Sequence, residues 1–353
     1  MNRFFKIGIT LITVLVFADK LTAQDTVKLT WLADRFPGKS YLQQPYKSII
    51  LQSTNGKEFT INWGDGAIET KTSDNDKSIY KATELNHTYD KAGEYTVIIA
   101  SNDTNCRFTY FDCSNKKLIN LDLTGCSALT ILWCDNNQLT NLNLTECSAL
   151  TELNCRYNHL TNLDLSDCSA LKELDCSDNH LTNLDLNAYS SLTSLECNNN
   201  QLTNLNLSGC ISLEHLQCYS NQLLLSEIFA ANLLINNEDV QHFDLRKQNL
   251  DTRTVMRGEE LFAEQSIFNG IFTSYVVIKD EDYDTYFDYD YPPDDNESEN
   301  DYTVIDGKIT FNNLGKYSVT MSNEAIMSVY YYSDYPETIK VRVEIIVEDI
   351  NED

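Results

Sequence analysis

The chain has 353 residues, 42% of them hydrophobic, which is too long for one ordinary core and apolar enough for folded domains. Its 53 Asp and Glu against 26 Lys and Arg leave a formal net charge of −27. Such a surface repels phosphate backbones and anionic lipid, so nucleic acid is excluded as a partner and cations or basic partners are favoured. The first residues, MNRFFKIGITLITVLVFADKLTAQ, place Arg3 and Lys6 before an apolar run from Ile7 to Ala18, then a small-residue cleavage site at Leu21-Thr22-Ala23. This is the pattern of a secretory signal over residues 1–23. The run is shorter than the roughly 20 residues that a membrane helix needs, and no later stretch is longer. The mature chain is therefore expected to carry no transmembrane segment and to be secreted or held at the cell surface.

Residues 24–105 read as short strands between turn signals: Val27–Trp31, Ile49–Gln52, Phe59–Trp63 and Tyr95–Ile99. Asp65-Gly66 is a tight-turn pair. Trp63-Gly64-Asp65-Gly66, His87-Thr88-Tyr89 and Gly93-x-Tyr95-x-Val97 together resemble the marks of a polycystic-kidney-disease (PKD) domain, a small β-sandwich. The resemblance implies a spacer or contact module. Since it runs into Cys106 without a linker, it is expected to cap the next domain. Asp65 and His87 are titratable, but both sit in motifs that turn chemistry explains.

Residues 106–225 repeat every 21 residues. Leu118, Leu139, Leu160, Leu181, Leu202 and Leu223 stand one period apart, and so do Cys113, Cys134, Cys155, Cys176, Cys197 and Cys218. A fixed period of this length predicts a solenoid, whose coils bury their apolar edges only against each other. Asn137, Asn158, Asn179, Asn200 and Asn221 form a polar column at the same period. A side-chain amide both donates and accepts, so this column is expected to satisfy backbone groups at buried turns. Lys116 stands where the first copy should carry Asn, which marks that copy as an end repeat. The run Leu150-x-x-Leu153-x-Cys155-x-x-Asn158-x-Leu160 resembles the conserved segment of leucine-rich repeats, with Cys in place of one Leu.

Ten of the eleven cysteines fall in two columns, the second being Cys126, Cys147, Cys168, Tyr189 and Cys210. The count is odd, Tyr189 interrupts the file, and stacked strands lie about 4.8 Å apart, too wide for a bridge within a column. The thiols are expected to be buried small hydrophobes rather than disulfides or metal ligands.

In each coil the x-Leu-x-Cys-x stretch is predicted as the strand. Alternation then turns Leu and Cys inward and the other residues to the concave face. By coil these are Tyr110/Asp112/Ser114, Ile131/Trp133/Asp135, Glu152/Asn154/Arg156, Glu173/Asp175/Ser177, Ser194/Glu196/Asn198 and His215/Gln217/Tyr219. The candidate ligand-binding residues are Trp133, Arg156, Tyr157, Glu173, Asp175, Glu196, His215 and Tyr219, because exposed aromatics and arginine are common binding anchors. Replacing Trp133 and Tyr219 with Ala is expected to weaken binding and leave unfolding nearly unchanged. Asn120, Asn141, Asn162, Asn183 and Asn204 fall on the far side, where they serve turns.

Ser226–Asn236 has a helical pattern after a Ser N-cap, which predicts a C-terminal helical cap over 226–244. Strand patterns resume over 245–353 at Tyr275–Ile278, Lys308–Phe311, Lys316–Met321 and Thr338–Val347. Gly307-x-Ile309-x-Phe311 and Gly315-x-Tyr317-x-Val319 resemble late strands of bacterial immunoglobulin-like domains. The acidic, Tyr-rich insert 279–302 offers a Ca2+ site at Asp280, Asp282 and Asp284. Against this stand the lack of a Gly to turn the loop and of a closing Glu, which favour a solvated insert. Apart from that ion no cofactor is expected.

No nucleophile elbow, His-Glu-x-x-His pair, phosphate loop or dinucleotide fingerprint is present, so the chain is not read as an enzyme. The expected fold is mainly β: a leucine-rich-repeat solenoid with 21-residue repeats flanked by two β-sandwich-like modules. As a whole the chain is similar to secreted bacterial leucine-rich-repeat proteins with internalin-like short repeats. That resemblance implies adhesion to a protein partner on another cell or host surface. Carbohydrate binding, through the PKD-like module or Trp133, and a purely structural surface role are the alternatives.

Overall fold

Strands make up every described element, and among the described residues no helix is long and apolar enough to cross a membrane. The computed structural model describes residues 25–33, 46–53, 57–73, 82–103 and 105–224. Beyond them it describes 242–244, 248–250, 253–256, 260–261, 267–268, 271–272, 274–279, 302–305, 308–311, 315–328 and 337–348. The signal 1–23, the helix expected over Ser226–Asn236, and Asp280, Asp282 and Asp284 lie outside the described residues. Two compact units divide the chain, Met1–Asn179 and His180–Asp353.

In the first unit, β1 (Thr26–Ala33), β2 (Tyr46–Ser53), β3 (Glu58–Asn62), β4 (Ile68–Thr72), β5 (Thr83–Thr88) and β6 (Gly93–Ser101) precede the repeats. The coils supply β7 (Phe108–Asp112), β8 (Leu118–Asp122), β9 (Ile131–Trp133), β10 (Glu152–Asn154) and β11 (Glu173–Asp175). One sheet runs β4-β3-β6-β1-β8, and another places β5, β2, β7, β9, β10 and β11 side by side. Pairing is antiparallel from β5 through β2 to β7 and parallel from β7 onward, one coil per strand. The main chain of the first coil is thus bonded by β2 on one face and β1 on the other, where a bare edge would invite association.

Sequence period and burial agree. Leu132, Leu153 and Leu174 lie in direct register and are at most 2% exposed, while their strand neighbours on either side face out. All eleven cysteines are free and buried. From β9 onward the coil strands are three residues long, shorter than the stretch expected. The ladder nevertheless continues past them, with Cys134 N–H donating to Asn154 O and Cys155 N–H to Asp175 O, both at 2.8 Å. The chain then turns at a left-handed residue that recurs every 21 positions: Asn115, Asn136, Tyr157 and Asp178, with φ of 62, 54, 51 and 54°.

Next comes the asparagine column. Asn158 accepts from Leu139 N–H at 3.0 Å in the preceding coil and donates to Cys134 O at 3.1 Å and Cys155 O at 3.0 Å. Asn137 and Asn179 repeat the pattern. The end copy differs as the sequence implied. Lys116 O accepts from Lys47 Nζ, and the Lys116 ammonium reaches Ser48 Oγ at 3.4 Å, so this residue serves the β2 contact instead.

Two strands lie outside the stretches read as strands. β4 is polar along most of its length and lies at a sheet edge, where pairing needs no buried face. β8 falls on the side read as turn. It is a strand in the first coil because β1 runs antiparallel along it, whereas the next coil keeps only the single bridge between Asp122 and Asn143.

Ahead of the coils, Trp31 donates to Tyr89 OH at 3.1 Å, which donates to Trp63 O at 2.9 Å, all three side chains being fully buried. Gly64 has φ of +85°, and a Cβ there would lie 2.4 Å from Thr96 O, so only glycine fits this turn. Asp25, fully buried, accepts from Phe108 N–H at 2.8 Å and Arg107 at 2.6 Å.

In the second unit, β12 (Ser194–Glu196), β13 (His215–Gln217) and β14 (His242–Asp244) are parallel and in register. Strand β14 falls within the segment expected to be the helical cap and departs from that reading. Then follow β15 (Gln248–Asn249), β16 (Arg253–Met256), β17 (Glu260–Leu261), β18 (Ile267–Phe268), β19 (Ile271–Phe272), β20 (Ser274–Lys279), β21 (Tyr302–Ile305), β22 (Lys308–Phe311), β23 (Gly315–Ser328) and β24 (Glu337–Glu348). One sheet runs β15-β24-β23-β20 with β16 also on β24, and β17-β22-β21 form another. β15 and β16 run parallel to β24, while β23 runs antiparallel to it. Asn221 continues the amide column, accepting from Leu202 N–H at 3.0 Å. Gln248 then takes the same role off the 21-residue period. It accepts from Leu223 N–H at 3.1 Å and donates to Cys218 O at 2.9 Å, fully buried.

Candidate functional site

Strand alternation gives each coil an inward Leu and two outward neighbours, so the outward residues of successive strands form a surface whose register is fixed. In the first unit one file is Tyr110, Ile131, Glu152, Glu173 and the next is Asp112, Trp133, Asn154, Asp175. The Trp133 indole donates to Glu152 Oε1 at 2.6 Å, and its ring meets Tyr110 edge-on at 5.5 Å between centroids. Tyr110 itself is only 4% exposed. Ser114 Oγ donates to Asp135 Oδ1 at 2.5 Å.

Arg156 and Tyr157 act together. The guanidinium lies 4.6 Å from the Tyr157 ring centroid and 3.8 Å from Asp175 Oδ2. Arg156 Nε is buried with no acceptor. Tyr157 is 45% exposed and occupies a left-handed position, where its column elsewhere carries Asn, Asp or Ser. A bulky side chain there costs about 1–2 kcal/mol. Of the five candidates in this unit Arg156 touches both Tyr157 and Asp175, and Glu173 is exposed.

Burial pushes the Asp175 carboxyl above its ordinary value. Hydrogen bonds from Ser177 and the charge of Arg156 offset only part of that. A raised carboxyl means the native state prefers the protonated form. Its stabilising share is complete below pH 3.8, the ordinary value, and is lost as pH rises through the shifted one. Asp175→Asn, which keeps the acceptor for Ser177, is therefore expected to unfold at higher urea than the parent at pH 7 and at the same urea at pH 3. Equal midpoints at both pH values would show that the carboxylate carries no burial cost.

In the second unit Glu196 Oε1 lies 3.8 Å from His215 Nε2, and the Gln217 amide is 3.1 Å from the same ring nitrogen. Tyr219 is half-buried one turn on.

Asp65 and His87, set aside in the sequence, pair at 2.6 Å. Burial works to raise the Asp65 carboxyl, but its bonds with His87 and Ala67 N–H outweigh that and hold it low. His87 stacks on Trp63 at 4.9 Å, so the pair fastens the Trp63-Gly64-Asp65-Gly66 turn to the aromatic core. Among the described residues no three His, Cys, Asp or Glu side chains converge as metal ligands do. Sequence reasoning chose Trp133 but passed over Glu152 and Tyr110 as its supports. The signal was the 21-residue register, which puts Glu152 and Tyr110 on the strands flanking Trp133.

No protein-family model and no curated protein sequence matches the chain. Three solved structures from Listeria monocytogenes are similar to it. The functional domain of InlJ, described as including a cysteine ladder, is 18% identical, covering 68% of this chain and 62% of that one, with a TM-score of 0.25. The chain thus spans less than two thirds of that structure's length. The secreted internalin-like protein Lmo2445 is 16% identical over 64% and 78% of the two chains, TM-score 0.39. The internalin-like protein lmo2027 is 15% identical over 68% and 76%, TM-score 0.28. The chain's own 21-residue coils, each with an inward Leu and an inward Cys and, after the first, a bonded Asn, make it a leucine-rich-repeat solenoid.

Proposed function

We propose that the chain is exported and recognises a protein on another cell or host surface through the outward residues of its coil strands. The contact residues are Trp133, Arg156, Tyr157, Glu173 and Asp175 in the first unit and Glu196, His215 and Tyr219 in the second. One observation carries this reading: the repeat stops repeating at that face. The inward positions of β9, β10 and β11 are all Leu, but the outward ones are Ile131/Trp133, Glu152/Asn154 and Glu173/Asp175. Burial enforces sameness inside, because a volume change in a close-packed column is felt by its neighbours. The left-handed Tyr157 and the partly buried Asp175 are costs carried on the face where sequence is free to vary, which is where function is expected.

Trp133→Ala with Tyr219→Ala is expected to weaken capture of the protein partner by roughly tenfold or more, as for interface anchors. The sequence alone suggested no stability cost. The bond to Glu152 and the contact with Tyr110 supply one, about 1 kcal/mol, so unfolding is measured alongside binding. Undiminished binding by the doubly substituted protein would remove this face from consideration. Strong signal on a glycan array would favour sugar recognition instead.

A further inference from the structure

Trp133 sits amid negative charge. Asp112 lies beside it in register, Asp135 follows two residues on, and Glu152 holds its indole nitrogen. Among the described residues the donors to these carboxylates are uncharged. Asp112 accepts from Ser114 N–H, Asp135 from Ser114 Oγ and Asn136 Nδ2, and Glu152 from Trp133 Nε1. Of the nearby cations, Arg156 pairs instead with Asp175 and Tyr157, and the Lys116 ammonium reaches Ser48 Oγ. Three carboxylates, none of them in an ion pair among the described residues, therefore surround a half-exposed indole that Tyr110 and Glu152 hold in place. Like charges at this spacing repel, and an indole face attracts a cation.

We propose that this patch seats a lysine or arginine side chain from an extended basic segment of a partner protein. The alkyl stem lies along Trp133, and the cationic head lies among Asp112, Asp135 and Glu152. This rests on the strand-face recognition proposed above and adds the partner's chemistry to it. A neutral sugar would leave all three charges uncompensated, and an acidic segment would be repelled.

The test uses the mature chain and a fluorescent peptide of alternating lysine and serine, with a glutamate-serine peptide and tetramethylammonium beside it. The lysine peptide is expected to bind with a steep salt dependence and the glutamate peptide not to bind. Tetramethylammonium is expected to compete weakly. Trp133→Ala is expected to weaken the peptide roughly tenfold, within the range of a partly desolvated cation–π contact. Asp112→Asn with Asp135→Asn is expected to do the same and to flatten the salt dependence. Asn154 already fills the turn role of Asp112, accepting from Arg156 N–H at 3.2 Å, so folding should be kept. Asp122→Asn with Asp164→Asn removes equal charge from the opposite face, where Asn143 already makes the same turn, and should leave binding within about twofold.

Equal losses from the two charge pairs would overturn the seat, since diffuse attraction to an acidic chain would then explain binding. So would binding of the glutamate peptide. A neutral or acidic protein partner that is still lost on Trp133→Ala with Tyr219→Ala would overturn the basic segment and leave strand-face recognition standing.

Discussion

Asn158→Ala is expected to remove about 3–5 kcal/mol of stability, because it orphans several buried backbone groups at once. The amide is 4% exposed and bonds Leu139 N–H, Cys134 O and Cys155 O, with a longer bond to Arg156 O at 3.3 Å. The alanine methyl satisfies none of these. Asn158→Asp should cost at least as much, since it keeps an acceptor but points negative charge at three carbonyls. Asn162→Ala is the control: the same residue type, exposed, four positions on. It should move the urea midpoint by less than about 0.5 kcal/mol equivalent. A loss below 1 kcal/mol for Asn158→Ala would mean that the carbonyls find other donors and that the column does not hold the coils together.

Stability is also expected to collapse in alkali. Burial pushes the Cys147 thiol up to about 12 and those of Cys168 and Cys210 up to about 11, from an ordinary value of 9.0. Cys113 and Cys134 are raised as well, for the same reason. A raised value means the folded chain holds its thiol protons more tightly than the unfolded one. The stabilising share of these groups is complete below pH 9 and is lost as pH climbs through 11 to 12. Each thiol removes about 1.4 kcal/mol per pH unit inside that window, so three of them alone remove about 4. That rate exhausts the 5–15 kcal/mol of a typical domain within a few pH units. Circular dichroism between pH 8 and 12 checks it. Alkylation and mass spectrometry check the premise: at pH 8 the folded chain should leave its thiols unmodified, and in urea all eleven should react. A flat stability profile to pH 11.5, or ready labelling of the folded chain, would show that the cysteine files open to solvent.

How much was legible depended on whether a position is governed by its neighbours in the period. Leu153, Cys155 and Asn158 could be placed inward from the 21-residue columns alone, since identical residues at a fixed period have one way to stack. The amide of Gln248 could not, because it takes the role of the asparagines 27 residues after Asn221 and has no column to betray it. β4 escaped for another reason: an edge strand needs backbone partners, not apolar alternation. Of the candidate face, Trp133, Arg156 and Asp175 were visible as outward residues. The contact of Arg156 with Tyr157, the lock of Glu152 on the indole and the burial of Asp175 were not.

The sequence by itself determined the coil: its length, its inward leucines and thiols, its amide column and the identity of the outward residues. These follow from periodicity, because burial against a copy of itself leaves a chain little choice. The tertiary structure decided what covers the first coil, which segment supplies the last amide, and which outward side chains meet. Those outcomes depend on pairings between residues tens of positions apart, such as Leu51 with Phe111 and Leu29 with Leu121. Such contacts obey no period, so only the folded backbone can set their distances.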